Sequence, residues 1–480
     1  MLRRIVHHEW RALASDATLW VVAAIFGVAI GYGVWNGARW VTFQRTALAL
    51  ASAEEATRYD GLKAQVAALS APGAEVSPFA DPRSPSAFGG RLGPRYAILP
   101  PGPLAPLAIG QSDLLPYYFK VSTDARENIV SATEIENPNR LLAGRFDLAF
   151  VIIFLYPLLI LALTYNMLSA EQEQGTLSLA LSQPVSLGTL VSGKVLLRAL
   201  ILVGLVVAFS TVALLLSGAD LSAPGAVTRL VLWLAVVAAY GAFWFGLAIM
   251  VASLGRNSTA NATILASAWL LLIVMMPSLF NMAATSFYPV PSRVEMVQAM
   301  REAQDEANKG GAQALARFYD DHPELATGDP AQAMNDFNIV RVAVNDDVER
   351  RVRPVVDHYE AQIGKQQQAI DSLRFLSPAI LIQSALNDIA GTGTDRHRDY
   401  LAQVDAYHQQ WRDFFVPKIF AKTVVADLDQ VPRFAYREEA TRVVSSRVGV
   451  TLAGLLLPAV AIGIIGLRRL RRFPVIGHGA

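Results

Sequence analysis

The residues Gly188-Thr-Leu-Val-Ser-Gly193-Lys194-Val195 come within one position of a phosphate-cradling P-loop. Such a loop needs a Ser or Thr after the lysine to hold magnesium, and a preceding strand to aim the turn. Val195 stands in that place and an apolar run follows, so nucleotide binding is not the chemistry expected here. His397 and His408 lie eleven apart on an expected helix and could share a face, but no carboxylate–histidine motif of zinc-enzyme type surrounds them. They read as ordinary polar residues. The absence of cysteine excludes disulfides, thiol catalysis and zinc–thiolate sites. Asn257-Ser-Thr and Asn261-Ala-Thr fit the glycosylation sequon but fall in a loop expected to face the cytoplasm. Asn166 reads as an interhelical hydrogen bonder. Acidic residues are lacking inside the apolar runs, which argues against a proton-driven carrier.

The elements that position these residues are set by hydropathy. The chain has 480 residues, 53% of them hydrophobic, a mean hydropathy of +0.34 and a net charge of +1. That balance disfavours a nucleic-acid-binding surface and favours lipid contact. Six runs approach the ~20 residues that a spanning helix needs: 19–35, 148–168, 195–216, 230–254, 262–280 and 448–467. Pro157 and Pro277 lie inside two of them, tolerable where neighbours satisfy the freed carbonyl. Arg198 sits one turn inside the third, where it could snorkel to the interface. Arg3, Arg4 and Arg11 precede the first run, and Arg468, Arg469, Arg471 and Arg472 follow the last, which predicts both termini in the cytoplasm.

The expected fold is therefore an all-α polytopic membrane protein. It has six transmembrane helices and two large, mainly helical extracytoplasmic insertions. In chain order the expectation is an interfacial helix over 1–16, a first span over 17–35, and a first insertion over 36–147. A second span over 148–168, a cytoplasmic loop over 169–194 and three spans within 195–280 follow. The second insertion occupies 281–447, the sixth span 448–467, and a basic cytoplasmic tail 468–480. The first insertion opens with a helical stretch over 44–69, then turns rich in proline and glycine from 71 to 116, which predicts loop or extended structure. In the second, Ser292 with Glu295 makes a capping-box signature, and helices are expected over 355–373 and 394–415.

The loop reads SAEQEQGTLSLALSQPVSLGTLVSGK. Glu171 and Glu173 stand at the start of a short helix, where the dipole favours anions. Leu177 and Leu181 share a face at i, i+4 spacing, and Pro184 ends the turn. At the N-terminus Leu2, Ile5, Val6, Trp10 and Leu13 fall on one side of a helix, with Arg3, Arg4, His7 and Arg11 on the other. Glu9 falls on the apolar arc without explanation. The pattern Glu-x-x-x-Gly-Thr-Leu, then Pro, then Gly-Lys entering a span, resembles the loop after the second span of ABC-2 type transporter permeases. The N-terminal helix is similar to that family's elbow helix. The insertions depart from compact members. They look like those of a bacterial subgroup at LPPGPLAPLAIGQSDLLPYY (99–118), SPAILIQSALNDIAGTGTDRHRDY (377–400) and VPRFAYREEA (431–440).

The resemblance implies a permease subunit of an exporter in a bacterial inner membrane, with no catalytic residues or cofactor of its own. Glu171, Glu173, Gly175, Thr176, Leu177, Leu181 and Pro184 would form a coupling helix docking on a separate ABC ATPase subunit. Gly175 would relieve backbone crowding, and the leucines would fill the ATPase groove. ATP and magnesium belong to that partner, since no segment expected in the cytoplasm exceeds roughly thirty residues, far short of a domain of about 100. A second permease subunit, membrane lipid and a periplasmic partner are the other expected contacts; nucleic acid is not. Two other classes fit the same hydropathy: a mechanical transducer that moves no cargo through its spans, and a membrane-anchored sensor or scaffold.

Overall fold

A computed structural model describes residues 2–15, 17–69, 76–77, 79–126, 146–183, 185–216, 222, 224–290, 292–326 and 330–471. The chain is predominantly helical. Among the described residues six helices are long and apolar enough to cross a membrane, and we number them spans 1 to 6: Leu19–Leu69, Leu148–Glu173, Leu187–Val212, Ala226–Ala252, Ser258–Phe287 and Thr441–Leu470. An apolar core of Phe26, Ile30, Ile152, Tyr156, Trp233, Tyr240, Trp244, Leu265, Val448 and Leu455 joins them. Span 1 continues without a break at Trp35, because Ala17–Leu69 is one helix of 53 residues. At 1.5 Å per residue it is about 80 Å long, against ~30 Å of hydrocarbon. The helical stretch expected over 44–69 is thus the projecting end of span 1.

Of the three prolines within the spans, Pro458 sits in the unbroken helix of span 6, while Pro157 and Pro277 each lie just after a π-helical turn, Val151–Leu155 and Leu270–Met275. Proline withholds an N–H from the preceding turn. The carbonyls there find other donors: the Tyr240 hydroxyl bonds Ile153 O at 2.9 Å, the Trp269 indole bonds Phe154 O at 3.1 Å, and the Ser377 hydroxyl bonds Leu272 O at 3.0 Å. This is the satisfaction that apolar surroundings demand.

The first insertion contains an antiparallel pair, β1 (Arg95–Ile98), within the stretch expected to be loop or extended, and β2 (Tyr118–Val121), just past it, with Arg95 opposite Val121. Alternate residues of β2 are buried, and Phe119 stacks on Tyr400 at 5.9 Å. Side-chain packing rather than composition decides this element. The second insertion is built of Arg293–Lys309, Gly311–Asp321, Phe337–Leu373, Pro378–Ala390 and Thr394–Phe420. Ser292 caps the first of these by accepting from the Glu295 N–H at 3.1 Å. The two insertions share a core of Tyr59, Phe88, Phe119, Tyr400, Trp411 and Phe415. The helix Pro378–Ala390 leaves that unit and packs in the span core through Leu381, Ile382, Ala385, Leu386 and Ile389. Its Ser377 cap therefore lies level with the middle of span 5.

Candidate functional site

The expected cytoplasmic loop folds as two short helices, Ser169–Glu173, which ends span 2, and Thr176–Leu181, which leads to span 3. Gly175 turns the chain between them at φ 73°, the left-handed region. A Cβ there would meet nothing within 4 Å. Gly175 is required by its backbone angle, and no neighbour within the chain crowds it. Helices this short are not stable alone, and their apolar face is covered by the chain itself. Leu177 is 1% exposed, packed with Met167, Leu168, Leu187, Val191 and Ile249, and Leu181 lies half-buried against the same group. Both were expected to fill a partner's groove; here they fill their own. The outward face carries Gly175, Thr176, Ser178 and Ser182 around Leu179, which is 73% exposed. Sequence reasoning missed Leu179, although a helix with two inward leucines at i, i+4 must turn the leucine between them away. Pro184 lies outside the described residues.

Both acidic residues are engaged within the chain. The Lys194 ammonium donates to Glu171 Oε1 at 2.6 Å and to the Met167 carbonyl at 3.1 Å. Glu173 accepts from the Ser258 N–H at 2.6 Å and its hydroxyl at 3.0 Å, at the first turn of span 5. Asn257 caps that same turn, accepting from the Ala260 N–H at 2.8 Å, and Asn261 reaches back to the Ser169 hydroxyl at 3.4 Å. The two sequon asparagines thus have structural roles. Asn261 makes the interhelical bond that was expected of Asn166. The near-P-loop is no loop: Leu187–Leu216 is one helix, so Gly188–Val195 is the start of span 3 and Lys194 points back to Glu171.

The N-terminal helix Leu2–Ser15 lies across span 3. Ile5, Val6 and Leu13 are half-buried, Trp10 is exposed, and the Leu2 side chain lies outside the described residues. Glu9, unexplained in sequence, is buried and accepts from Arg198 Nη2 at 2.5 Å, with Lys194 Nζ 4.0 Å from its other oxygen. Arg198 pairs inside the protein, where an interfacial headgroup was expected. The line Arg198–Glu9–Lys194–Glu171 therefore ties the N-terminal helix, span 3 and the loop into one charged brace.

A second polar junction stands at the other end of the spans. It gathers the three segments singled out above. Arg396 forks onto Glu438 at 2.9 and 2.7 Å and donates to the Pro100 carbonyl at 3.0 Å. Buried Arg229 of span 4 donates to the carbonyls of Asp388 and Ile389, each at 3.1 Å. Arg447 of span 6 holds Glu439 at 2.7 and 2.6 Å and lies 3.3 Å from Asp388. Burial, chiefly, pushes the Asp388 carboxyl up to about 6. Burial and then the Arg396 charge push His397 down to about 4. His408 bonds the Asp124 carbonyl at 2.9 Å. Among the described residues no cluster of His and carboxylates forms a metal site.

A family model described as a domain of unknown function (DUF3526) matches residues 293–437, most of the second insertion. No curated protein matches the chain.

Proposed function

We propose that the chain is the membrane-spanning subunit of an ABC-type exporter, driven by a separate ATPase and paired with a second permease subunit. The observation that carries this reading is the mounting of the loop. Lys194–Glu171 fixes it to span 3, Glu173–Ser258 to span 5 and Leu177 to the core, while Leu179 projects with a rim of small and hydroxylated residues. A knob so rigidly mounted on several spans transmits force; a flexible surface loop does not. The N-terminal helix, joined through Glu9, would move with it. In this reading both termini and the loop are cytoplasmic, and the insertions project from the other face of a bacterial inner membrane. ATP and magnesium belong to the partner.

The test replaces Leu179, which the fold does not need. Leu179→Asp should give protein that inserts and melts as wild type but no longer co-purifies with its ATPase subunit. Full binding and full ATP-driven turnover of that variant would remove the loop from the interface. A reporter after Ala480 should behave as cytoplasmic and one near Gly310 as extracytoplasmic; finding both on one side would overturn the topology.

One observation favours a second reading, mechanical transduction without cargo in the spans. The helix Pro378–Ala390 seats the second insertion directly in the span core, so movement of the spans must displace that insertion.

A further inference from the structure

We propose that the π-helical turn of span 5 is a hinge that relays displacement of the second insertion to span 2. Two of the three side-chain bonds that serve the proline-broken turns meet at this one. Ser377, fully buried at the head of Pro378–Ala390, accepts from the Ile380 N–H at 3.4 Å and donates to Leu272 O at 3.0 Å, inside the turn. Trp269, the residue just before the turn, donates to Phe154 O at 3.1 Å, inside the π turn of span 2. The turn is thus held on one side by the insertion and on the other by the second broken span. The far end of Pro378–Ala390 is held as well, since Arg229 grips the carbonyls of Asp388 and Ile389. A helix of 13 residues is a rod about 20 Å long between that junction and the hinge.

The coupling follows from what surrounds these carbonyls. π turns pack loosely and are places where a helix changes register or bends. With proline withholding a donor, a carbonyl that shifts among apolar neighbours must carry its side-chain donor along or lose its bond. Ser377 cannot slide without releasing either its own helix cap or Leu272. Span 5 cannot re-register around Trp269 without pulling on Phe154. The relay does not depend on the exporter reading, because it is measured in this subunit alone.

The experiment is amide hydrogen exchange on the full chain in lipid nanodiscs, comparing wild type, Ser377→Ala, Trp269→Phe and the double variant. Ser377→Ala should speed exchange about three-fold in Leu270–Met275, the factor equivalent to the ~0.6 kcal/mol typical of a side-chain bond in a membrane, and also in Val151–Leu155. In the double variant the span 2 effect should equal that of Trp269→Phe alone, because the wire is already cut. Replacing Trp269 with benzothienylalanine, which keeps the ring shape and removes only the N–H, separates the bond from packing and should reproduce Trp269→Phe. Faster exchange confined to span 5 in Ser377→Ala, additive effects in span 2, or wild-type exchange with benzothienylalanine would each overturn the relay.

Discussion

Removing Glu9 while leaving Arg198 in place should be among the most damaging single changes at the loop end of the spans. The two side chains are 10% and 8% exposed and meet at 2.5 Å. Nε and Nη1 of Arg198 are buried with no partner, so Glu9 is the acceptor on which the guanidinium relies. Breaking a buried pair from one side costs about 3–5 kcal/mol, because the remaining charge stays desolvated. Lys194 would lose little, since its 2.6 Å bond to Glu171 persists. Removing both partners removes the desolvation cost with the attraction, so Glu9→Met with Arg198→Met should be close to neutral. The coupling energy between the two sites should then reach about 2 kcal/mol or more, within the range seen for residues in contact. The assay is thermal unfolding of the full chain in nanodiscs, followed by tryptophan fluorescence, with wild type, Glu9→Ala, Arg198→Met and the double variant at one lipid ratio. If Glu9→Ala melts with wild type, the released guanidinium reaches the headgroups by snorkelling and the brace contributes nothing. Additive losses would refute the pairing just as well.

Leu177→Ala should lower stability by about 2–5 kcal/mol, as for a core leucine, whereas Leu179→Ala should stay within about 0.5 kcal/mol; the same melts separate them. Gly175→Ala should cost about 1–2 kcal/mol through its left-handed backbone alone, since a Cβ there meets nothing within 4 Å. Gly102→Ala should prevent correct assembly, because its Cβ would come within 2.2 Å of the Ala390 carbonyl oxygen; the yield of monodisperse protein reads both. Asp388, pushed up to about 6 by burial, has a folded value above its unfolded one. Its contribution to stability is therefore present below the unfolded value of about 4 and lost as pH rises through about 6. Asp388→Asn should flatten the dependence of melting temperature on pH between those values, and an unchanged profile would exclude Asp388 as the responsible group.

The spans were legible because an apolar run of membrane length has few alternative structures. Span 1 shows where that logic stops. Hydropathy falls after Trp35, yet alanine, leucine and glutamate carry helix onward to Leu69, and helix propensity does not register the edge of a bilayer. The strand pair at Arg95–Ile98 and Tyr118–Val121 was hidden for the opposite reason. Its stability lies in Phe119 against Tyr400 and in the Tyr400 hydroxyl on the Ala97 carbonyl at 2.8 Å, contacts more than 280 residues apart in sequence. The loop's acidic, glycine and leucine pattern was visible, but its direction was not. Periodicity shows that Leu177 and Leu181 share a face; it does not show whether that face belongs to the chain or to a partner. Glu9 was the useful anomaly. A carboxylate buried on an apolar arc calls for a cation, and Lys194 and Arg198, one turn apart at the start of span 3, supply it.

The two ends of the span bundle are held by different physics, and the difference bears on how force could pass through them. At the loop end four charges form a single line, Arg198–Glu9–Lys194–Glu171, with a gap of 4.0 Å in its middle. That middle link carries no hydrogen bond and is the weakest of the three. At the insertion end Arg229, Arg396 and Arg447 each hold both carboxylate and carbonyl or a forked carboxylate; Asp388 is shared between Arg229, through its carbonyl, and Arg447, through its carboxylate. Opening that junction would strand several buried charges together. The N-terminal helix and the loop stay tied to span 3 and move with it, through Arg198 and Lys194 respectively. Span 4, span 6 and the second insertion travel as one body, and the bend between the two ends must be taken up within the spans. Val151–Leu155 and Leu270–Met275 are the turns built to take it.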